Sequence, residues 1–289
     1  MKKAYVYILL AAALWGIIGI WSRGLMAGGF SSWSIVVVRN FGGLAALTLF
    51  FLIRGYPVFR IARKDIKYFF GTGVVSVMFF TLCYFSCQQV CSLAVAATLL
   101  YTAPTIVVLL SAVLWKEKIT RQKKLALLLT LLGCSLVTGL FSGSVVVTLQ
   151  GALLGLGAGF FYALYSIFGR YALERYDALT VTYWTFVFCG SFSLVFCRQQ
   201  ELSLLVTQPC MTVLALCMVI FSTVLPYMLY TSGLAVVRAS QAAIMASLEP
   251  VVAAMVGIFM FGELLDVFTA LGVGCVLAGI CVLNIKSKG

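Results

Sequence analysis

Of the eight acidic residues in this 289-residue chain, one, Glu249, falls deep inside an apolar stretch. It stands beside Pro250 in the run from about Ala239 to Phe261. That run is long enough to cross a bilayer, which takes ~20 residues at ~1.5 Å each. Glu249 then lies about nine residues from the inner end of its helix, ~14 Å deep. A carboxylate at that depth is costly unless it faces a cavity or a partner, so it marks a candidate functional site. Pro250 adds a second polar feature, because it removes one backbone donor and leaves the Ala246 carbonyl without its helical partner. Three roles stay open for Glu249: binding a substrate ammonium, carrying a proton, or locking a kinked helix.

Arg39 is the one basic residue placed within an apolar run. Its long side chain can reach the midplane or snorkel outward, and a buried Arg39–Glu249 contact is one expectation. Trp15, Tyr84, Tyr101, Tyr162, Tyr183, Tyr227 and Tyr230 fall inside apolar runs, away from the interfaces where Trp and Tyr usually gather. A buried Tyr hydroxyl needs a partner, and a hydrated cavity supplies one; singly, each ring is more often core than site. As a set they favour an amphiphilic solute over a bare ion. Ser247 and Gln241 offer further polar contacts.

Other chemistries fit poorly. An intramembrane enzyme needs paired carboxylates, histidine ligands or a nucleophile with its base, and the chain has no histidine. Channel selectivity is built from rings of like groups, which a single Glu249 does not supply. Ten cysteines are present; Cys83, Cys87 and Cys91 share one helix face and read as small buried hydrophobes. There is no nucleotide-binding motif and no call for a metal or other cofactor.

The elements that position these residues repeat. Pro104 recurs as Pro250, 146 positions on, and the same step relates Ala96 to Ala242, Glu117 to Glu263, Gly133 to Gly279 and Tyr84 to Tyr230. We therefore divide the chain into two repeats, 1–141 and 142–289. Composition is 63% hydrophobic and 10% charged, far below the charge of a soluble domain. The expected fold is an all-α membrane protein of ten transmembrane helices in an inverted 5+5 arrangement. The spans fall at about 4–26, 33–53, 68–88, 93–114, 125–141, 148–170, 179–197, 211–234, 240–261 and 267–285. The N-terminal run is too long for a signal-peptide h-region and reads as a retained span.

Net charge is +12, but the cations sit in short connections between apolar runs, which speaks against nucleic acid. With the N-terminus inside, all basic residues but Arg23, Arg39 and Arg198 fall on the inner side, so both termini are expected in the cytoplasm. The segments 54–67 and 116–124 read as solvated connections. Gly151, Gly155 and Gly159, and Gly272 with Gly279, read as close helix packing.

Taken together, Leu14-Trp15-Gly16, Arg39, Ala103-Pro104 through Glu117 and Gly133, and Leu248-Glu249-Pro250 through Gly262-Glu263 and Gly279 resemble the EamA-type family of the drug/metabolite transporter superfamily. The resemblance spans both repeats and implies a basket of ten helices carrying small organic solutes. Ala103 stands where the second repeat has Glu249, so charge work falls on one half. The functional expectation is a secondary transporter of the cell (inner) membrane, exporting an amino acid or related metabolite by alternating access, with a coupled proton as an open question. Efflux of lipophilic cationic drugs is the alternative. Pro104, Pro226 and Pro250 are the expected helix breaks, beside a midplane site at the repeat interface; the competing view is that they are kinks absorbed by packing. A lipid bilayer and a small solute are the expected partners, and a monomer suffices to enclose the site.

Overall fold

Apolar runs of this length find no water for their peptide groups inside a bilayer, so each closes its hydrogen bonds within itself. The computed structural model describes residues 1–91, 93–141, 148–262 and 266–284, and these form helices and turns with no strand among them. The first half comprises α1 (Lys2–Gly16), α2 (Ile18–Ala27), α3 (Ser32–Arg54), α4 (Ile66–Phe70), α5 (Phe79–Val90), α6 (Leu93–Leu100), α7 (Ala103–Trp115) and α8 (Arg121–Val137). The second comprises α9 (Leu149–Leu173), α10 (Ala178–Ser193), α11 (Gln199–Leu202), α12 (Leu204–Thr207), α13 (Pro209–Val219), α14 (Leu225–Leu234), α15 (Ala239–Ala246), α16 (Leu248–Phe261) and α17 (Val267–Asn284).

Joined through their breaks, these helices give eight segments long and apolar enough to cross a membrane among the described residues: Lys2–Ala27, Ser32–Arg54, Arg63–Val90, Val95–Trp115, Leu149–Leu173, Ala178–Phe196, Pro209–Leu234 and Ala239–Phe261. The other two expected spans are the shorter α8 and α17, which pack along each other. Their backbones touch: a Cβ on Gly133 would sit 2.7 Å from the Gly272 carbonyl oxygen, and one on Gly272 would sit 2.8 Å from that of Gly133. Gly272 thus faces Gly133, while Gly279, the repeat counterpart of Gly133, packs further along the same pair of helices, where a Cβ would sit 2.9 Å from the Ala126 carbonyl oxygen.

The 146-residue step governs the local structure. Ser31 caps α3 by accepting from the Ser34 amide, and Asp177 caps α10 from Thr180. Thr120 caps α8 from Lys123, and Asp266 accepts from Thr269 at the start of α17. Each pair is one step apart. Such caps satisfy the amides that a helix start leaves open. The breaks repeat too. α6 and α7 are separated at Tyr101–Thr102, and α15 and α16 at Ser247. A π-helical stretch, Gly71–Met78, ends just before α5, and another, Ile220–Val224, ends just before α14. Pro226 explains the second of these, since its missing amide and its ring disturb the preceding turn. The first contains no proline.

Three polar networks tie one half to the other at the helix ends. Asp65, buried in the first half, accepts from Arg175 Nη1 at 2.7 Å and from the Tyr176 hydroxyl at 2.9 Å. Lys123 Nζ lies 2.9 Å from Glu117 Oε2 and donates to Ser240 Oγ at 2.8 Å, while Ser240 donates to the same Glu117 oxygen at 2.6 Å. At the opposite end the Ser31 amide donates to Glu201 Oε2 at 2.6 Å. The segments 54–67 and 116–124 are mostly exposed, as expected of solvated connections, but Asp65 and Lys123 within them are buried, and buried charges persist only when paired. Glu263, the 142–147 connection, Lys286 and Lys288 lie outside the described residues.

Candidate functional site

The break at Ser247 restarts the helix as α16, and Glu249 occupies its first turn. A helix start presents open amides and the positive end of the helix dipole, so a carboxylate is stabilised there. The corresponding break in the first half puts Tyr101 in the turn ahead of α7. Both breaks face a cavity of about 430 Å³, whose lining includes Trp15, Arg39, Tyr84, Tyr101, Tyr162, Tyr227 and Glu249. Its walls come from α1, α2, α3, α5, α9, α14, α16 and the α6–α7 turn, so both halves build it.

Glu249 accepts a long hydrogen bond from the Tyr162 hydroxyl at 3.4 Å. Arg39 sits on the same cavity with its guanidinium carbon 5.9 Å from the centroid of the Tyr227 ring. The expected direct Arg39–Glu249 contact is not made, since no ion pair within 4.0 Å joins them. The acid and the base instead share one void while remaining apart. Two donors beside the void have no hydrogen-bond partner, Arg39 Nε and Trp15 Nε1. Buried polar atoms are nearly always satisfied, so each orphan calls for a reason.

Below the cavity the rings close ranks. Trp15 meets Tyr227 edge-on at 5.2 Å and Tyr230 at 5.3 Å. Tyr230 shares a hydrogen bond with Ser166 at 2.8 Å, and Tyr165 with Thr231 at 2.7 Å. Tyr230 therefore belongs to this floor and does not face Tyr84 across one pocket: Tyr84 lines the cavity and Tyr230 does not. Ser247 is buried and does not line the cavity. Toward the other end the lining continues through Ser22, Met26, Ser32 and Gln88, the end that carries the Ser31–Glu201 contact. Gly16 sets the geometry from beneath. A Cβ there would lie 2.6 Å from Val252 Cβ and 2.7 Å from the Glu249 carbonyl oxygen, so only glycine lets α1 touch the turn that carries the acid.

Ser22, Ser32, Thr81 and Gln88 also line the wall, beyond the residues expected from the sequence. Helical spacing could have found most of them. Reading back from Arg39 by three, four and seven residues gives Val36, Ile35 and Ser32, and stepping from Tyr84 by three and four gives Thr81, Phe80 and Gln88.

The EamA-like transporter family matches this chain twice, over residues 2–139 and 149–285. The chain belongs to the EamA-like transporter family. Among similar proteins, an uncharacterized transporter of Archaeoglobus fulgidus is 28% identical over 98% of this chain and 96% of its own length. An uncharacterized inner membrane transporter of Salmonella typhimurium, YicL, is 24% identical over 99% and 97%. A solved crystal structure superposes with a TM-score of 0.81 at 17% identity, covering 98% of this chain and 97% of the other, which establishes a shared fold. As an EamA-like protein the chain is a multi-pass membrane transporter built from two copies of one unit.

Proposed function

We propose that the protein moves a small zwitterionic organic solute, an amino acid or related metabolite, by alternating access around the cavity that holds Arg39 and Glu249. One observation carries this reading: a single base and a single acid line the same 430 Å³ void without touching each other. A molecule with a carboxylate and an ammonium would complete both, and the rings of Tyr84, Tyr101 and Tyr227 would take its apolar part. Alternating access draws support from the breaks and π-helical stretches that recur one repeat apart, since matched discontinuities let two similar units exchange roles. With the basic ends cytoplasmic in the inner membrane, as loop charge argues, the cavity would reach toward the outside while the Trp15–Tyr227–Tyr230 floor closes the inner path.

The test is a thermal-shift screen of the purified protein against neutral amino acids and against lipophilic cations, repeated with Glu249→Gln and Arg39→Gln. A bound solute stabilises by mass action. A zwitterion should stabilise the wild type and lose its effect in both variants. Stabilisation by cations alone, lost in Glu249→Gln and kept in Arg39→Gln, would replace this reading with cation efflux.

A further inference from the structure

Away from the transport cavity, at the end of the bundle that carries the turn between α7 and α8, four cations converge. Lys116, Lys118, Arg170 and Arg238, together with Trp115 and Thr120, line a concavity of about 480 Å³. A second hollow of about 350 Å³ adjoins it and shares Arg170 and Arg238. None of the four cations makes an ion pair among the described residues. Two carboxylates stand nearby: Glu174 lines the adjoining hollow, and Glu117 lines the concavity itself, where Lys123 and Ser240 already hold the Oε2 of Glu117. Its Oε1 is buried and so does not face an incoming anion.

Cations in connecting segments are ordinary in membrane proteins and serve topology. Two features go beyond that requirement. Lys116 has φ 52° and is the one non-glycine residue with positive φ among those described. At the equivalent point of the second half, where α16 ends, Gly262 adopts the same left-handed conformation with φ 67°. Glycine takes this conformation without strain and lysine does not, so the first half accepts a backbone penalty to keep an ammonium at the rim. In addition, the Arg170 guanidinium carbon lies 5.1 Å from the centroid of the Trp115 ring. A cation–π contact with the indole holds the guanidinium beside the concavity, and none of its donors is taken up by an ion pair among the described residues.

We propose that this concavity is a binding site for a phosphate-type oxyanion, held by Lys116, Lys118, Arg170 and Arg238 and distinct from the Arg39–Glu249 cavity. Planar donor forks and ammonium groups together suit a tetrahedral anion that accepts several charge-assisted hydrogen bonds. Two sources present that chemistry here, the headgroup of an anionic phospholipid and a soluble phosphorylated solute. The proposal does not depend on the solute carried by the transport cavity.

Lys116→Gly gives a clean test, because glycine already occupies the matching position in the other half. The variant should keep or raise the melting temperature of the unliganded protein while binding the anion more weakly. In non-ionic detergent, inorganic phosphate and pyrophosphate should stabilise the wild type beyond potassium chloride of equal ionic strength. From nanodiscs, native mass spectrometry should find phosphatidylglycerol retained in preference to phosphatidylcholine. A response in the first arm alone assigns a soluble anion, in the second alone a lipid headgroup, and either supports the site. Lys116→Gly and, separately, Arg238→Gln should each weaken the responding arm about fivefold or more, as expected for a lost hydrogen bond to a charged group. Failure of both arms in the wild type, or wild-type affinity in both variants, would overturn the proposal.

Discussion

Trp115 and Phe261 end α7 and α16 at equivalent points, 146 residues apart, and each carries on its ring an arginine from the other half. Arg170 stands 5.1 Å from the Trp115 centroid and Arg23 stands 4.3 Å from that of Phe261. Arg23 and Arg170 both lie toward the ends of the first helical rods of their repeats, one residue off the common step. The duplicated unit thus binds its partner copy reciprocally, once at each end of the bundle. A double-mutant cycle on Arg170→Ala and Trp115→Leu should return a coupling of about 0.5–1 kcal/mol, the range for a stacked cation at a partly exposed site. Additive losses in thermal or denaturant stability would show that the stack contributes nothing.

Gly16 and Gly19 make a paired test on one rod. An alanine at 16 forces its Cβ against Val252 and the Glu249 carbonyl, and overpacking of this kind costs about 1–3 kcal/mol. An alanine at 19 meets nothing within 4 Å and should be neutral or stabilising by under about 1 kcal/mol, from helix propensity. Gly16→Ala should also weaken solute binding, since the atoms it displaces carry the acid. Equal effects of the two substitutions on melting temperature and affinity would contradict the close contact.

How much of this was legible beforehand follows from where the information sits. The repeat step, the span positions and the acid beside Pro250 are properties of residue type and spacing, so reading them needed no coordinates. The first-half break at Tyr101–Thr102 was also foreseeable, because Pro104 marks it. The π-helical stretch Gly71–Met78 was hidden, for no proline announces it. The Lys123–Glu117–Ser240 network was hidden for a different reason. Its members belong to different repeats, 117 or more residues from Ser240, and sequence pattern reports the face of a helix but not what packs on it. The same limit turned Tyr230 from an expected wall residue into part of the floor.

That network and the Ser31–Glu201 contact predict an acid sensitivity. For Glu117, burial raises the carboxyl's pKa, but hydrogen bonds from Ser240 and Lys123 outweigh it and leave the group below its usual 4.5. For Glu201, burial likewise raises it, but the Ser31 amide and further donors bring it down to about 2. A carboxylate with a depressed folded value contributes stability above its unfolded pKa, and that contribution is lost as pH falls through the folded value. Melting temperature should therefore hold above about pH 4.5 and decline below it, down to about 2 for the Glu201 part. Glu201→Gln should flatten that lowest stretch. Lys123→Met should cost about 3–5 kcal/mol at neutral pH, because it strands a buried charge, and Glu117→Gln in the same background should restore part of the loss. A melting temperature indifferent to pH between 6 and 2 would remove these carboxylates from any stabilising role.

Tyr162 donates to Glu249 at 3.4 Å, at the long limit for such a bond. A weak bond of this kind orients the carboxylate while leaving it open to a better donor, such as a substrate ammonium. Tyr162→Phe should then reduce solute affinity by about twofold to tenfold, the equivalent of ~0.5–1.5 kcal/mol for one hydrogen bond. Glu249→Gln should reduce it more. If Tyr162 acts through Glu249, the double variant binds no worse than Glu249→Gln alone; if the hydroxyl touches solute independently, the two losses add. Isothermal titration of the four proteins with the solute found by thermal shift distinguishes these outcomes. A Tyr162→Phe variant with wild-type affinity would mean that the carboxylate needs no orienting partner, and that Tyr162 serves the cavity by its ring alone.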